Sequence, residues 1–314
     1  MKVSIILPNY NHAVYLDQRI SGILRQSLAF HELIILDDCS LDGSVEVIRK
    51  YLGDPRIKFI QNDPNSGSTF LQWKKGLELV SGDLVWIAES DDDCEPDFLA
   101  KLVPPFEKDG EVTLAFCDSA IIDENSKPFD NSRKWSFAFR QGELLETSGV
   151  YSGKSFCEKY LSEKNVTVNA SGIVFRKSTM DQVGGPDTSL KMAADWRLWF
   201  ELCLLGKIHY VNESLNHHRR HQNTVTHQKM DILKKESFQN QNHFYRLLRE
   251  RKASTKWIRT YRFKWAFKKA IWEAGYVPSI QNFRLYFTVV DFSVILTFLT
   301  NLHRLIYGIL VRRP

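Results

Sequence analysis

Three short apolar runs in the first ninety residues each end abruptly in polar or acidic side chains. Val3-Ser-Ile-Ile-Leu7 runs into Pro8-Asn9-Tyr10-Asn11, and His31-Glu-Leu-Ile-Ile-Leu36 into Asp37-Asp38. Leu84-Val-Trp-Ile-Ala88 runs into Glu89, Asp91, Asp92 and Asp93. Between the first two runs the apolar spacing becomes helical, at Leu16, Ile20, Ile23 and Leu24. It is helical again at Val45, Val47, Ile48 and Leu52, and from about Thr69 to Val80, with a further strand from Ile57 to Ile60. Strands alternating with helices at this interval predict βαβ units, hence an α/β fold with a mainly parallel sheet flanked by helices. Ligands of such sheets bind beyond the carboxyl ends of the strands. Tyr10, Asp38 and Asp91 all fall at those ends, so the pattern predicts that they converge on one site.

Four carboxylates at one strand end repel one another unless a positive group sits among them. A divalent cation holding a phosphate answers this, because hard oxygen ligands suit Mg²⁺ or Mn²⁺. The alternative is a solvated acidic turn before the helix that Pro96 starts. Composition fits a folded enzyme of ordinary kind: 314 residues, 43% hydrophobic and 25% charged. The N-terminus reads as the first strand rather than a secretory leader, because its apolar run is too short. Five scattered cysteines without a Cys-x-x-Cys pair argue against a disulfide framework or a zinc site and suit a reducing cytosol.

The ordered motifs resemble those of the family 2 glycosyltransferases, inverting enzymes of the GT-A fold that use nucleotide sugars. The resemblance rests on the three strand ends above and on Leu36-Asp-Asp-Cys-Ser-Leu-Asp-Gly-Ser44. It continues through Asn65-Ser-Gly-Ser68, Gln72-Trp-Lys-Lys-Gly76, Pro96-Asp-Phe-Leu99, Gly184-Gly-Pro-Asp187 and Ala194-Asp-Trp-Arg-Leu-Trp199. It implies a catalytic domain over residues 1–227, with a nucleotide-sugar half (1–117) and an acceptor half (118–227). Tyr10 would then stack on the base and Asp38 accept its ring N–H, typically from uracil, with Pro8 and Ser90 beside them. Asp91 would hold the metal, Mn²⁺ or Mg²⁺, with Glu89 near the ribose; the family carries Asp-x-Asp where this chain has Glu89-Ser-Asp91. Arg220 and His221, in the run His217-His-Arg-Arg-His221, would close over the diphosphate or the metal. Lys74 and Lys75 are candidates to neutralise the diphosphate, or are simply solvated.

The same resemblance makes Asp195 the catalytic base. Displacement at an anomeric carbon needs a group to take the acceptor hydroxyl's proton. An acid in the first turn of a helix is also favoured by the helix dipole alone, and Asp187 is the next candidate. The implied activity is hexosyl or N-acetylhexosaminyl transfer, from a UDP-sugar, to a glycan or lipid-linked glycan in surface polysaccharide synthesis. The Gln-x-x-Arg-Trp run of processive members is absent, which favours a single addition. A sugar-phosphate nucleotidyltransferase shares the sheet and acidic site but needs a Gly-rich basic loop after the first strand. A catalytically silent binding subunit is the other alternative. No Gly-x-Gly-x-x-Gly follows the first strand, which disfavours a dinucleotide oxidoreductase.

From Arg246 onward there are 14 Lys and Arg against 3 Asp and Glu, interleaved with aromatics between Trp257 and Trp272. Residues 228–314 are therefore expected to form a helical, basic extension. Basic aromatic segments, followed by an amphipathic stretch from Leu285 to Leu302, predict contact of residues 255–314 with an anionic membrane surface. The expected location is the inner, cytoplasmic face of the membrane. The same helices could instead pack on the catalytic domain or form a homo-oligomer interface; nucleic acid is not expected.

Overall fold

The computed structural model describes residues 1–132, 145–167, 169–220 and 230–262. The chain divides into two compact units, Met1–Phe244 and Tyr245–Pro314. In the first unit the expected strands and helices form in order: β1 (Val3–Asn9), α1 (Ala13–Leu24), β2 (Glu32–Asp37), α2 (Ser44–Arg49), β3 (Ile57–Gln61), α3 (Thr69–Leu79) and β4 (Leu84–Ile87). These strands lie side by side as β3-β2-β1-β4, all parallel.

Alternation of side chains across β1 divides its neighbours between the two faces. Val3, Ile5 and Leu7 join Leu33, Ile35 and Trp86 in a core with Leu16, Ile20 and Ile23 of α1. Ile6 points the other way, against α3. A Cβ on Gly76 would sit 2.5 Å from the Ile6 side chain, so only glycine lets α3 approach this closely. Helices thus cover both faces, as the alternating pattern requires.

Beyond β4 the sheet becomes mixed. The remaining strands are β5 (Asp93–Cys94), β6 (Val112–Ile122), β7 (Pro128–Asn131), β8 (Gly149–Ser152), β9 (Ile173–Arg176) and β10 (Lys207–Arg219), with helices α4 (Phe98–Leu102) and α5 (Pro104–Lys108) before β6. β9 inserts antiparallel between β4 and β6, while β10 runs parallel to β6. β5 pairs antiparallel with β10, which brings the acidic turn after β4 against His217 and Asn216. The expectation of a mainly parallel sheet therefore describes the first four strands. Strand direction in the second half is set by connections, and an apolar run such as Ile173–Arg176 carries no sign of its direction.

The helix Ala194–Leu204 packs on the same face as α3, with the Trp73 and Trp199 rings 5.9 Å apart. The helix Met230–Glu250 begins within the first unit. Its Phe244 ring stacks on Phe200, with centroids 3.8 Å apart. The first unit accordingly extends past residue 227, the expected end of the catalytic domain. Among the described residues no helix is long and apolar enough to cross a membrane. The amphipathic stretch 285–302, and most of the expected membrane-facing segment, lies outside the described residues.

Candidate active site

A cavity of about 710 Å³ opens at the carboxyl ends of β1, β2 and β4. Its wall takes Pro8 to His12 from the end of β1, Asp38 from β2, and Glu89 and Ser90 from β4. Asn65 and Gly67 through Phe70, with Gln72, close one side, and Lys191 and Met192 complete it. Tyr10, Asp38 and Asp91 were expected to converge. Asp91 is not part of the wall, whereas Tyr10 and Asp38 line this one space together with Pro8, Glu89 and Ser90. The topology explains it, because parallel neighbours deliver their polar termini to the same edge of the sheet.

Tyr10 is 48% exposed at the cavity, so its ring is available to stack on a planar group. Asp38, by contrast, is buried and heavily engaged. Its Oδ1 accepts from Asn62 Nδ2, the Ser66 N–H and Gln72 Nε2 at 2.7, 2.8 and 2.9 Å, and its Oδ2 from Ser66 Oγ at 2.8 Å. This one carboxylate therefore organises the 62–72 loop that walls the cavity. Helix capping nearby falls to Asp42, which accepts from the Ala13 and Ser44 N–H groups. Oδ2 carries the fewer protein donors, so it is the oxygen with room for a ligand N–H. Ser90 is held by His12, whose Nδ1 lies 2.8 Å from its Oγ.

At the acidic turn the carboxylates have separate surroundings. Asp92 is buried and accepts from Asn169 Nδ2 at 2.8 Å and from the Arg219 N–H at 2.9 Å. Glu89 accepts from Trp73 Nε1 at 2.8 Å, and its own N–H donates to Ser171 Oγ. Burial, reinforced by Asp91 and Asp92, lifts the Glu89 carboxyl to about 8 against the opposing Trp73 bond. Arg219, which sequence reasoning passed over, ties the turn down: its Nε donates to the Asp91 carbonyl at 2.7 Å. Arg220 is half-buried, with Asp92 and Asp91 close enough to offset part of the burial that lowers its pKa. His221 lies outside the described residues. Lys74 is exposed on α3 and absent from the cavity wall, and Lys75 instead bonds Asn62 Oδ1 at 2.5 Å.

No three His, Cys, Asp or Glu side chains converge as a metal cage among the described residues. That is compatible with Mg²⁺ or Mn²⁺, which are commonly held by one or two carboxylates plus substrate phosphates.

Asp195 stands in the first turn of the Ala194–Leu204 helix, directly after the cavity-lining Lys191 and Met192. Burial raises its carboxyl to about 6, although the Trp196 N–H and Asn165 favour the charged form. Asn165 Nδ2 donates to Oδ2 at 3.2 Å. Asp195 is not itself part of the cavity wall. Asp187, the other candidate, is committed to an ion pair with Arg197 and to Ser189. Asn169, Arg219 and His12 were not predicted; their roles arise from contacts between distant segments and leave no local signal.

Known proteins are similar to this chain in sequence and in fold. The uncharacterized glycosyltransferase alr2836 of Nostoc sp. is 27% identical over 230 residues, 70% of this chain and 65% of its own. The chondroitin synthase of Escherichia coli is 24% identical over 77% of this chain and 31% of its own. Among solved structures, Staphylococcus aureus TarS 1-349 in complex with UDP superposes with a TM-score of 0.60 at 16% identity, covering 86% of this chain and 72% of that one. Its complex with UDP-GlcNAc gives 0.56 at 19% identity, over 71% of this chain and 60% of that one. This chain thus spans about two thirds of the length of alr2836. The likeness to TarS establishes the shared GT-A fold. The model of the family described as Glycosyl transferase family 2 matches residues 4–164, half of the chain, and the chain belongs to that family.

Proposed function

We propose that this protein transfers a sugar from a UDP-sugar to a hydroxyl of a glycan or lipid-linked glycan, with inversion at the anomeric carbon. The observation that carries this reading is the single cavity where Tyr10, Asp38 and Glu89 meet, with the Asp195 helix starting beside it. An aromatic face for a base, a carboxylate for its ring N–H, and a base of raised pKa serve the two ends of one displacement. In that step the acceptor oxygen bonds the anomeric carbon as the carbon–oxygen bond to the diphosphate breaks. The bonding pair leaves with the diphosphate, and the hydroxyl proton passes to Asp195. Asp91 would hold Mn²⁺ or Mg²⁺, which would supply charge stabilisation for the departing diphosphate when bound. Arg220, which feels the charge of Asp91 and Asp92, would add positive charge on that side. The UDP and UDP-GlcNAc complexes of TarS support a UDP-sugar donor, and the chondroitin synthase relative supports a polysaccharide product.

UDP should raise the melting temperature of the protein, and Mn²⁺ should enlarge the rise, since a ligand that binds only the folded state stabilises it. Asp91→Asn should remove the Mn²⁺ increment and leave the UDP effect itself. An undiminished increment in that variant would take the metal away from Asp91.

The 14-to-3 excess of basic residues after Arg246 supports contact with an anionic membrane, where a lipid-linked acceptor would lie. A chain ended at Ser254 should lose co-sedimentation with phosphatidylserine vesicles while still binding UDP. Vesicle binding equal to that of the full chain would exclude the tail as the anchor.

A further inference from the structure

Among the described residues that line the cavity, Asp38 and Glu89 are the carboxylic acids, and Lys191 is the one lysine or arginine. Its segment is irregular: Lys191, Met192 and Ala193 form a bent strap leading into the Asp195 helix. Backbone N–H groups in such a strap have no partner within their own element. They find one in a residue far along the chain.

Glu236, buried on the Met230–Glu250 helix, accepts all three. Its Oε1 takes the Lys191 N–H at 2.8 Å, and its Oε2 takes those of Met192 and Ala193 at 2.8 and 3.0 Å. Asn240, one turn on and fully buried, donates from Nδ2 to the Ala193 carbonyl at 2.7 Å and accepts from Arg197 Nε at 2.8 Å. Residues four apart share a helix face, so this helix grips the strap at two points. The grip consumes the three N–H groups that lead into the Asp195 helix. The positive group this strap leaves for the cavity is the Lys191 side chain.

We propose that Glu236 is a positioning residue that holds the Lys191–Ala193 strap so that the Lys191 ammonium meets the diphosphate of the donor. The inference rests on the nucleotide-sugar reading above and extends it to a residue outside the matched family segment. A compact, flexible ammonium suits a diphosphate as a point charge, and its reach depends on where its backbone is fixed. Glutamine at 236 keeps the shape but replaces one oxygen with an N–H₂ that faces N–H donors, so the strap would move.

The test compares UDP with uridine, which keeps the base and ribose but lacks the diphosphate, by titration calorimetry on the full-length protein. Lys191→Met should weaken UDP by about tenfold to a hundredfold, the usual range for losing a charged hydrogen bond, and leave uridine unchanged. Glu236→Gln should weaken UDP by about tenfold, again sparing uridine, and the double variant should bind UDP as Lys191→Met does, because Glu236 acts through Lys191. Additive losses, or a parallel loss of uridine, would overturn the proposal and make Glu236 a structural residue. Should Glu236→Gln fail to fold, Asn240→Ala loosens the strap at Ala193 and goes through the same cycle: non-additive loss of UDP alone supports the proposal, and additive or parallel loss overturns it. Wild-type protein that binds neither ligand would overturn the nucleotide-sugar reading and this inference together. Wild-type protein that binds both, with an additive cycle, overturns the inference alone.

Discussion

Asp195→Asn should lower sugar transfer by about a hundredfold to ten-thousandfold, the usual contribution of a general base, while UDP affinity stays within about twofold of wild type. Asparagine keeps the size of the side chain and its place in the first turn of the helix. It cannot take the acceptor proton, so the hydroxyl must attack with that proton still attached. Asp195 is not part of the cavity wall itself, and nothing in the wall bonds to it except through the backbone of its helix. Donor binding therefore has no reason to change. Transfer near the wild-type rate would reduce Asp195 to a helix-terminal acid and turn the search to Asp187. Loss of UDP binding would make it a structural residue.

The same residue sets the pH dependence. Burial raises the Asp195 carboxyl to about 6, so below that pH it holds a proton and cannot act as base. The kcat/KM of the wild type should rise with pH through about 6 and then level off, and this limb should vanish in the residual activity of Asp195→Asn. Stability runs the other way. A carboxyl whose folded pKa is raised contributes stability below its unfolded pKa, and that contribution is lost as pH rises through the folded value. The variant should thus melt slightly higher at neutral pH, which also shows that its lost activity is not lost folding.

How much of this site was readable in the sequence depends on how local each signal is. Strand ends carry their chemistry in adjacent residues, so Tyr10 and Asp38 could be placed together from apolar runs and the expected parallel order. Pro8, Glu89 and Ser90 came from the family resemblance, and Asp91, expected with them, is not in the wall. The mixed half of the sheet was less legible, because β9 reaches its place through a connection whose direction no periodicity records. Lys74 stood out for its charge and its nearness to Trp73, yet on α3 it faces solvent, while Trp73 and Gln72 on the other side of the helix face the site. Lys191 is hidden for the converse reason: nothing around it in sequence is unusual, and its place in the wall comes from Glu236, 45 residues on. Asp92 is one of the four carboxylates of the acidic turn, and its sequence neighbours do not reveal its partners. It is satisfied by Asn169 and by Arg219, 77 and 127 residues away.

Arg219→Met should be the most destabilising single change around the site, at about 3–5 kcal/mol, or a fall in melting temperature of roughly 10 °C. Arg219 is 1% exposed and its guanidinium serves acceptors from three segments. Nε donates to the Asp91 carbonyl at 2.7 Å, and NH1 to the Asp123 carbonyl at 2.9 Å and Ser126 Oγ at 3.0 Å. NH2 reaches Gln18 Oε1 at 3.1 Å, and the plane lies 4.6 Å from the centre of the Tyr15 ring. Methionine fills much of the volume but removes donors from these part-buried acceptors, each loss costing about 1–3 kcal/mol where the acceptor regains neither water nor another donor. The costs do not add in full, because Gln18 Oε1 retains its bond from Ser126 Oγ, the Asp123 carbonyl retains the Ser126 N–H, and the backbone N–H of residue 219 still reaches Asp92. Arg219→Lys should lose less, since an ammonium keeps the charge but cannot span three segments with a planar fork. The damage should also reach function, because the Asp91 carbonyl would no longer be tied to β10. Mn²⁺-dependent UDP binding should weaken in Arg219→Met even at temperatures where the variant is folded. A melting temperature within about 1 °C of wild type would mean that ordered water, not Arg219, satisfies these groups in solution. Arg219 would then not be what joins the acidic turn to the last strand of the sheet.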